Sequence, residues 1–334
     1  MTKRKLSQQQ SRRIEENQKK RRKNADNEGR SSAPEQHGTV ITRYGKQADI
    51  ETADGTLWRC YLRANLGEIV TGDNVIWQQE DDNCGVVVSV MQSRNRLQRP
   101  DSYGKMRDVA ANIDQVLITL AVEPEPHAGL IDRYLVVAEN LDVKPVLLLN
   151  KADLLGEPES CSIQQLLHQY KLLGYDVVLA SSKSEHGLDT LKVHLRNVTS
   201  IFAGQSGVGK SSIIQLLLPN EDIKIGELSE QIAKGRHTTT HSRLYHFPDG
   251  GNCIDSPGIR DFGLWHMNVD DVIHGFIELR QRAGHCKFRD CRHQQEPGCA
   301  ITSAQQDGII SAERYESFCR IINTLNDVDI KPSL

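Results

Sequence analysis

One eight-residue stretch of the chain fits a phosphate-binding loop without a mismatch. The pattern GxxxxGK[ST] runs from Gly204 to Ser211, between a predicted strand at 198–203 and an apolar helix that begins at Ser211. In such a strand–loop–helix unit, backbone N–H groups of the loop and of the helix N-terminus point at phosphate oxygens. The stretch predicts a bound nucleotide, contacted by Gly204, Gln205, Ser206, Gly207, Val208, Gly209, Lys210, Ser211 and Ser212.

A second signal selects the base of that nucleotide. Asn150, Lys151, Ala152 and Asp153 follow the apolar run 145–149. A carboxylate placed there can accept hydrogen bonds from N1–H and the exocyclic amine of guanine, a donor pair that adenine lacks. Alone, these four residues would equally suit a surface turn. The next predicted strand, 175–180, leads into a second base-contacting loop, however, and together they predict GTP; that loop is Ser181, Ser182 and Lys183.

Further residues are predicted to surround the γ-phosphate and its Mg²⁺ ion. Asp255 follows the strand 252–254 and begins the run Asp-Ser-Pro-Gly, in which the N–H of Gly258 can reach the γ-phosphate. We expect Mg²⁺ to be held by the hydroxyl of Ser211, by Asp255 and by one hydroxyl from the threonine run 238–240. The spacing does not decide which of these threonines is the ligand.

The order of the motifs is unusual. In ordinary GTP-binding domains the phosphate loop comes first and the base-reading loops last, whereas here Asn150 and Ser181 precede Gly204. The chain therefore reads as circularly permuted, which a doubly wound sheet tolerates because its termini lie at the surface, often close together. This permuted motif set resembles the circularly permuted small ribosomal subunit-dependent GTPase family (RsgA, also called YjeQ), from about residue 36 to the C-terminus.

The resemblance implies an activity and a partner. Members of this family are GTPases of late small-subunit maturation, so we expect the chain to bind the small ribosomal subunit and its rRNA. It would hydrolyse GTP to GDP and phosphate, stimulated by the subunit. The alternatives are an rRNA-binding scaffold in which GTP is a passive structural ligand, and a GTP-dependent metallochaperone, which a closed metal site disfavours. Turnover stimulated by purified subunits would distinguish an enzyme from a scaffold.

The catalytic group is predicted to be a histidine. Many GTPases place a water-orienting Gln directly after the glycine equivalent to Gly258, but here that residue is Ile259, which has neither donor nor acceptor. His237 can act as an acid, a base or an orienting group near neutral pH. The resemblance favours the same segment and selects Thr239 as its Mg²⁺ ligand. The alternative for His237 is an exposed loop histidine.

A metal site is predicted near the C-terminus. Three cysteines and one histidine fall within fourteen positions, the ligand number and type of a closed, structural Zn²⁺ site: Cys286, Cys291, His293 and Cys299. The resemblance implies the same four ligands and one zinc per chain. The spacing differs from common CxxC fingers, so unpaired buried thiols are the alternative. His285 is a rival imidazole, but its position beside Cys286 makes simultaneous ligation awkward. A flanking helix is expected to begin with Asn268 as its N-cap.

The region before the nucleotide motifs reads as a small barrel. Five short β-rich runs, with a hairpin signal at Asp54-Gly55, predict an OB-like barrel: 39–42, 48–52, 56–63, 74–78 and 85–91. In the third run Arg59, Tyr61 and Arg63 share one face, which suits either nucleic acid or plain solvation. The linker that follows carries five basic residues and favours RNA: Arg94, Arg96, Arg99, Lys105 and Arg107.

The N-terminus is strongly basic although the whole chain carries a formal charge of −3. Residues 1–30 hold eleven Lys and Arg and few acids, which predicts a disordered tail serving as an rRNA-binding or a solubilising arm. The chain lacks both an apolar run of about 18 residues and an apolar segment behind its basic start, so we expect a cytoplasmic protein without membrane contact. We also expect it to be a monomer.

The predicted architecture is therefore a multidomain α/β chain of 334 residues. A basic tail at 1–36 precedes an OB-fold RNA-binding domain at 37–105. A circularly permuted P-loop GTPase domain with a doubly wound sheet follows at 106–265, and an α-helical zinc-binding domain at 266–334 completes the chain. A loop that orders on GTP binding at Asp255–Gly258 is expected to swing the last domain relative to the barrel.

Overall fold

The computed structural model describes residues 33–81, 84–101, 104–156, 162–221, 242–255, 267–294 and 296–328. Its first five strands form a closed barrel in the order β1-β2-β3-β5-β4, because β4 pairs back onto β1. Trp77 is buried in the barrel core and Trp58 packs against it, with the two ring centroids 5.1 Å apart. The OB-like barrel is confirmed. The strands are β1 (Glu35–Tyr44), β2 (Gln47–Glu51), β3 (Leu57–Leu62), β4 (Asn74–Gln79) and β5 (Cys84–Val90).

The predicted linker contains a hairpin instead. Strands β6 (Arg96–Pro100) and β7 (Met106–Ala111) pair antiparallel, with a bulge between Leu97 and Gln98. Arg96 donates to Asp108 on the opposite strand and to the buried Asp73, each at 2.8 Å. Leu97 and Ala110 of this hairpin pack in the hydrophobic core of the central domain. Charged residues stand around them, so the sequence shows no clear alternation of apolar and polar residues.

The central domain is a parallel sheet with one antiparallel edge. Strands β8 to β11 and β13 are parallel and lie in the order β10-β9-β8-β11-β13, and β12 runs antiparallel beside β13. Every residue of β8 is buried, as expected for a central strand covered on both faces. The strands are β8 (Gln115–Ala121), β9 (Lys144–Asn150), β10 (Asp176–Leu179), β11 (Thr199–Ala203), β12 (Arg243–His246) and β13 (Asn252–Asp255).

Helices cover both faces of this sheet. On one face, α1 (Ala128–Asn140) and α2 (Ser162–Leu172) bury residues such as Leu135 and Leu167. On the other, α3 (Asp189–Leu195) and α4 (Lys210–Leu217) bury Leu191 and Ile213. The doubly wound sheet predicted from the strand and loop motifs is confirmed.

The barrel and the central sheet share one ladder. Thr42 of β1 pairs antiparallel with Arg243 of β12, which makes a continuous eleven-stranded sheet. The hydroxyl of Thr71 donates to the carbonyl of Ser242 at 2.9 Å, and His246 lies 2.8 Å from Glu51. Barrel and central domain are therefore joined by backbone as well as side-chain contacts.

The C-terminal domain is helical. Asn268 caps the first helix, as predicted, and it also forms a capping box with Asp271. Phe276 and Phe318 meet edge to face in the core, with ring centroids 5.8 Å apart. Within the described ranges, no helix is both long and apolar enough to cross a bilayer. The helices are α5 (Val269–Gly275), α6 (Ile277–Arg280), α7 (Ala300–Gln306) and α8 (Ala312–Val328).

Candidate functional site

The carboxyl ends of parallel strands gather the predicted nucleotide residues at one edge of the sheet. Asn150 ends β9, Ser181 follows β10, Gly204 follows β11 and Asp255 ends β13. These strands are neighbours or near neighbours, although the residues are far apart in the chain. In open α/β sheets this edge is where ligands bind. The strand ends and the predicted binding loops therefore coincide.

Two glycines of the phosphate loop are required by its packing. Gly204 has φ 136°, and a Cβ there would lie 2.2 Å from the carbonyl oxygen of Thr119. Gly209 has φ 89°, and its Cβ would lie 2.2 Å from the side-chain amide of Asn150. Both positions combine a left-handed backbone with a close approach that excludes any side chain. The pattern's glycines thus shape the loop, while Ser206 and Gly207 stay exposed.

The ammonium group of Lys210 is buried against the phosphate loop. Lys210 begins α4, is 7% exposed, and its ammonium donates to the carbonyl oxygens of Gly204 and Gln205, each at 2.5 Å. A buried ammonium needs such oxygen partners to offset the loss of water. The loop therefore presents a fixed positive charge together with the N-terminus of α4, where Ser211 and Ser212 occupy the first turn. This arrangement suits a phosphate.

Asn150 ties the base loop to the phosphate loop. Its side chain is 1% exposed and its amide donates to the carbonyl of Val208 at 2.8 Å. Its own oxygen Oδ1 is buried and makes no hydrogen bond to the described residues. A buried acceptor of this kind normally finds a partner, so the position suits a donor supplied by a ligand.

Asp153 and Ser181 form the other half of the base site. The Ser181 hydroxyl donates to Asp153 at 2.6 Å and accepts from the backbone N–H groups of Lys183 and Ser184 at 3.2 Å. The hydrogen bond from Ser181 is the main cause that lowers the pKa of Asp153. The carboxylate is therefore ionised at neutral pH and can act as an acceptor only, as guanine recognition requires.

Two supports of the base loop were not predicted. Lys151 has φ 57°, and its ammonium donates to the carbonyl of Glu123, after β8, at 2.6 Å. Gly187 packs so closely that a Cβ would lie 2.2 Å from the carbonyl of Ser181. The sequence signal for Gly187 was an isolated glycine six residues beyond the strand-end serine Ser181. The contact of Lys151 with Glu123 uses a backbone carbonyl and leaves no sequence signal.

Some predicted residues lie outside the described part of the chain. These are the catalytic His237, the Mg²⁺ ligand Thr239, the γ-phosphate contact Gly258 and the basic tail. The other two predicted Mg²⁺ ligands, Ser211 and Asp255, lie at the carboxyl edge of the sheet, on the adjacent units β11–α4 and β13.

The four predicted metal ligands form one cluster. The ligand atoms of Cys286, Cys291, His293 and Cys299 all lie within 4.8 Å of one another. The Sγ atoms of Cys286 and Cys299 are 4.0 Å apart, and His293 Nδ1 lies 3.4 and 3.5 Å from them. Tetrahedral bonds of about 2.3 Å to sulfur imply edges near 3.8 Å. The donor set therefore fits a tetrahedral metal ion.

The metal cluster has its own supporting contacts. Backbone N–H groups of Ala300 and Thr302 donate to the sulfurs of Cys286 and Cys299, each at 3.4 Å. Burial raises the pKa of Cys299, but hydrogen bonds from Thr302 and His293 outweigh it and lower that pKa to about 6. Such donors stabilise a thiolate, the form that binds metal.

Other contacts shape the loop around the cluster. Glu296, which the sequence analysis missed, accepts from the N–H groups of Arg292 and Gln294 at 3.0 and 2.8 Å. The rival histidine, His285, is exposed and is not a member of the cluster.

The proposed RNA face of the barrel is less positive than predicted. Arg59 pairs with Asp49 at 2.5 Å and lies 4.6 Å from the ring of Tyr44. In the former linker, Arg94, Arg96 and Arg107 also pair with carboxylates. Tyr61, in contrast, is 49% exposed and offers an aromatic surface.

Comparison with known proteins gives the family. The model of the RsgA GTPase family matches residues 90–265. The small ribosomal subunit biogenesis GTPase RsgA of Hahella chejuensis is 49% identical over 99% of both chains. Its counterpart in Saccharophagus degradans is 52% identical over 99% of this chain and all of that one.

Solved structures agree with this result. YjeQ from Thermotoga maritima is 30% identical with a TM-score of 0.73, over 87% of this chain and 99% of that one. YloQ, described as a circularly permuted GTPase, is 27% identical with a TM-score of 0.72, over 92% and 99%. This chain belongs to the RsgA GTPase family, and it is a GTP-hydrolysing enzyme with a circularly permuted GTPase domain.

Proposed function

We propose that this GTPase binds the small ribosomal subunit and its rRNA and hydrolyses GTP to GDP and phosphate during late subunit maturation. The subunit stimulates that hydrolysis, and the enzyme acts as a cytoplasmic monomer. The observation that carries the proposal is the junction of the Asn150 and Val208 loops at the edge of the sheet, in a chain whose relatives are named small ribosomal subunit biogenesis GTPases. The exposed Tyr61 and the basic tail supply RNA contacts.

The nucleotide contacts follow from the site. Asp153 accepts from guanine while Ser181 holds its carboxylate in place. When GTP binds, the Lys210 ammonium turns from the carbonyls of Gly204 and Gln205 towards the β- and γ-phosphates. The backbone N–H groups of the loop donate to those phosphates. The proposed GTP-binding residues are Asn150, Lys151, Ala152, Asp153, Ser181, Ser182, Lys183, 204–212 and Gly258.

Catalysis is proposed to combine metal and histidine. Bound Mg²⁺, held by Ser211, Thr239 and Asp255, would supply positive charge beside the transferred phosphoryl group. His237 orients the attacking water or accepts its proton, a role that Ile259 cannot fill.

The metal of the C-terminal cluster is proposed to be zinc. Three cysteines and one histidine are the soft ligand set of structural Zn²⁺, and four protein ligands leave no position open for water. The role is structural: the ion would join the loop 286–299 to the small helical core, whose few residues can bury only a limited apolar area.

Steady-state turnover tests the proposal. GTP hydrolysis by the full chain would be measured with and without purified small subunits, with large subunits as the matched control. We expect stimulation of about 10²-fold or more by small subunits only, the order of magnitude expected for completing a catalytic arrangement. Lys210→Ala should abolish it. Equal turnover with and without small subunits would leave the rRNA-binding scaffold as the better description.

A further inference from the structure

Helix α1 belongs to two hydrophobic cores at once. Ile131 and Leu135 pack in the core beneath the central sheet. Val136, on another side of the helix, packs in the core of the C-terminal domain. A Cβ on Gly275 of α5 would lie 2.5 Å from the Cα of Val136, so the two helix backbones are in direct contact. The GTPase domain and the metal-binding domain thus share α1 as a common wall.

A buried arginine of the C-terminal domain, Arg314, contacts α1 directly. Arg314 of α8 forms an ion pair with Asp132 of α1, and Glu278 of α6 lies 2.6 and 3.0 Å from the same guanidinium. The Tyr170 hydroxyl of α2 donates to Asp132 at 2.6 Å. The side chains of Arg314 and Asp132 are 6% and 0% exposed. Residues of both domains therefore meet in one buried charged network.

The shape of the network allows few alternatives. The planar guanidinium contacts Asp132 through Nη1 and Glu278 through Nε and Nη2, while its face lies 4.2 Å from the ring centre of Phe276. Such a fork fits its partners in one geometry, which a lysine cannot reproduce. Separating the domains would leave buried charges without partners, which is strongly unfavourable. A further hydrogen bond joins the same two domains: the side-chain amide of Asn140 in α1 donates to the carbonyl of Asp271 in α5 at 2.8 Å.

We propose that Arg314 is a positioning residue that fixes the metal-binding domain on α1, so that this domain and the GTPase domain move as one body. Any displacement of α1 is then transferred to the metal cluster without a hinge. We call these buried contacts between α1 and the metal-binding domain the joint. The swing of this domain that the sequence led us to expect would have to break the joint, so we no longer expect it. The joint itself is independent of which partner the enzyme binds.

Amide hydrogen exchange of the full chain tests the joint. The variant is Arg314→Met, and the matched control is Arg320→Met, an exposed arginine of the same helix. We expect exchange at 131–138 and 269–280 to rise about tenfold or more in Arg314→Met, while the strands β8 and β9 and the control stay as in the unaltered chain. Unchanged exchange at the joint, or an equal rise in the strands, overturns the proposal.

A second variant guards against a chain that does not fold. Arg314→Met combined with Asp132→Leu and Glu278→Met removes every charge of the network, and replacing a whole buried ion network by apolar residues of similar volume is often neutral or stabilising. We expect the triple variant to fold and still to exchange faster at the joint. Exchange equal to that of the unaltered chain would show that the charges do not fix the orientation.

A functional measurement rests on the proposed function. In the triple variant the subunit concentration for half-maximal stimulation should rise about tenfold, whereas intrinsic turnover stays within about twofold, because the metal-binding domain is misplaced but the nucleotide site is intact. An unchanged half-maximal concentration overturns the positioning role. If small subunits fail to stimulate even the unaltered chain, the proposed function falls, and the exchange experiment still decides the joint.

Discussion

The side-chain amide of Asn150 donates a 2.8 Å hydrogen bond to the carbonyl of Val208, 58 residues later in the chain. One end of the bond lies in the proposed base-reading loop and the other in the phosphate loop. The base-reading loop comes first in the permuted chain, so the bond rejoins motifs whose order in sequence is reversed. Placement of the base is thereby linked to the shape of the phosphate site.

Asp153→Asn should change the preferred base. The amide presents a donor where guanine also donates, whereas the 2-oxo group of xanthine accepts. Losing a charged hydrogen bond of about 1.5–3 kcal/mol should weaken GTP binding roughly 10- to 100-fold and improve binding of xanthosine triphosphate. Competition binding measures both. Asp249→Asn, at the carboxylate that pairs with Lys192, is the control. Unaltered selectivity would show that 150–153 does not read the base.

Replacing Cys291 and Cys299 together with Ser should release the metal. The chain loses two of four ligands, so the C-terminal helices should unfold at a lower temperature, while GTP affinity stays within about twofold because the cluster lies outside the nucleotide site. Elemental analysis gives the metal content. Cys319→Ser is the control, since this cysteine packs in the same domain without joining the cluster. One zinc retained per doubly substituted chain would remove the proposed site.

His237→Ala should lower subunit-stimulated turnover by roughly 10²-fold or more and keep nucleotide affinity near that of the unaltered chain. The physical reason is the apolar Ile259, which cannot orient water. His186→Ala, at an exposed loop histidine, is the control. Adding Ile259→Gln should partly restore the rate by supplying an amide. Full turnover in His237→Ala with saturating subunits would leave the ribosome as the source of the missing group.

Deleting residues 1–30 should weaken binding to small subunits and reduce its dependence on salt. Each phosphate contact contributes about 0.7–0.9 to the slope of log affinity against log salt, so the loss of several contacts is measurable. Intrinsic GTP turnover should not change. A Gly/Ser tail of equal length serves as the control for bulk. The same slope with and without the natural tail would assign it a solubilising role only.

Local patterns in the sequence were sufficient to predict most of the structure around the sites. Asn150, Ser181 and Gly204 each follow an apolar strand, and parallel topology brings such strand ends to one edge without further information. Asn268 was recognisable as a cap because an asparagine directly precedes an apolar helical pattern, and the metal ligands because they are close in sequence.

The unpredicted contacts are those that join distant segments. Asp132 and Arg314 are 182 residues apart, and an aspartate inside an amphipathic helix reads as an exposed side chain unless its partner is known. Helix α1 has apolar residues on more than one side for the same reason, since a second domain covers it. The β6–β7 hairpin was not predicted because its many charged residues leave no clear alternation of apolar and polar residues in the sequence.

The ladder between β1 and β12 has a consequence for synthesis of the chain. Thr42 meets Arg243, a residue added 201 positions later. At about 5–20 residues per second, ribosomes need on the order of ten seconds or more to make the intervening segment. All five barrel strands are synthesised by residue 90, and the barrel closes through its own β1–β4 pairing without β12. A nascent chain can therefore complete the barrel before β12, the strand that joins the barrel to the central sheet, has been synthesised. The two domains then assemble in a defined temporal order.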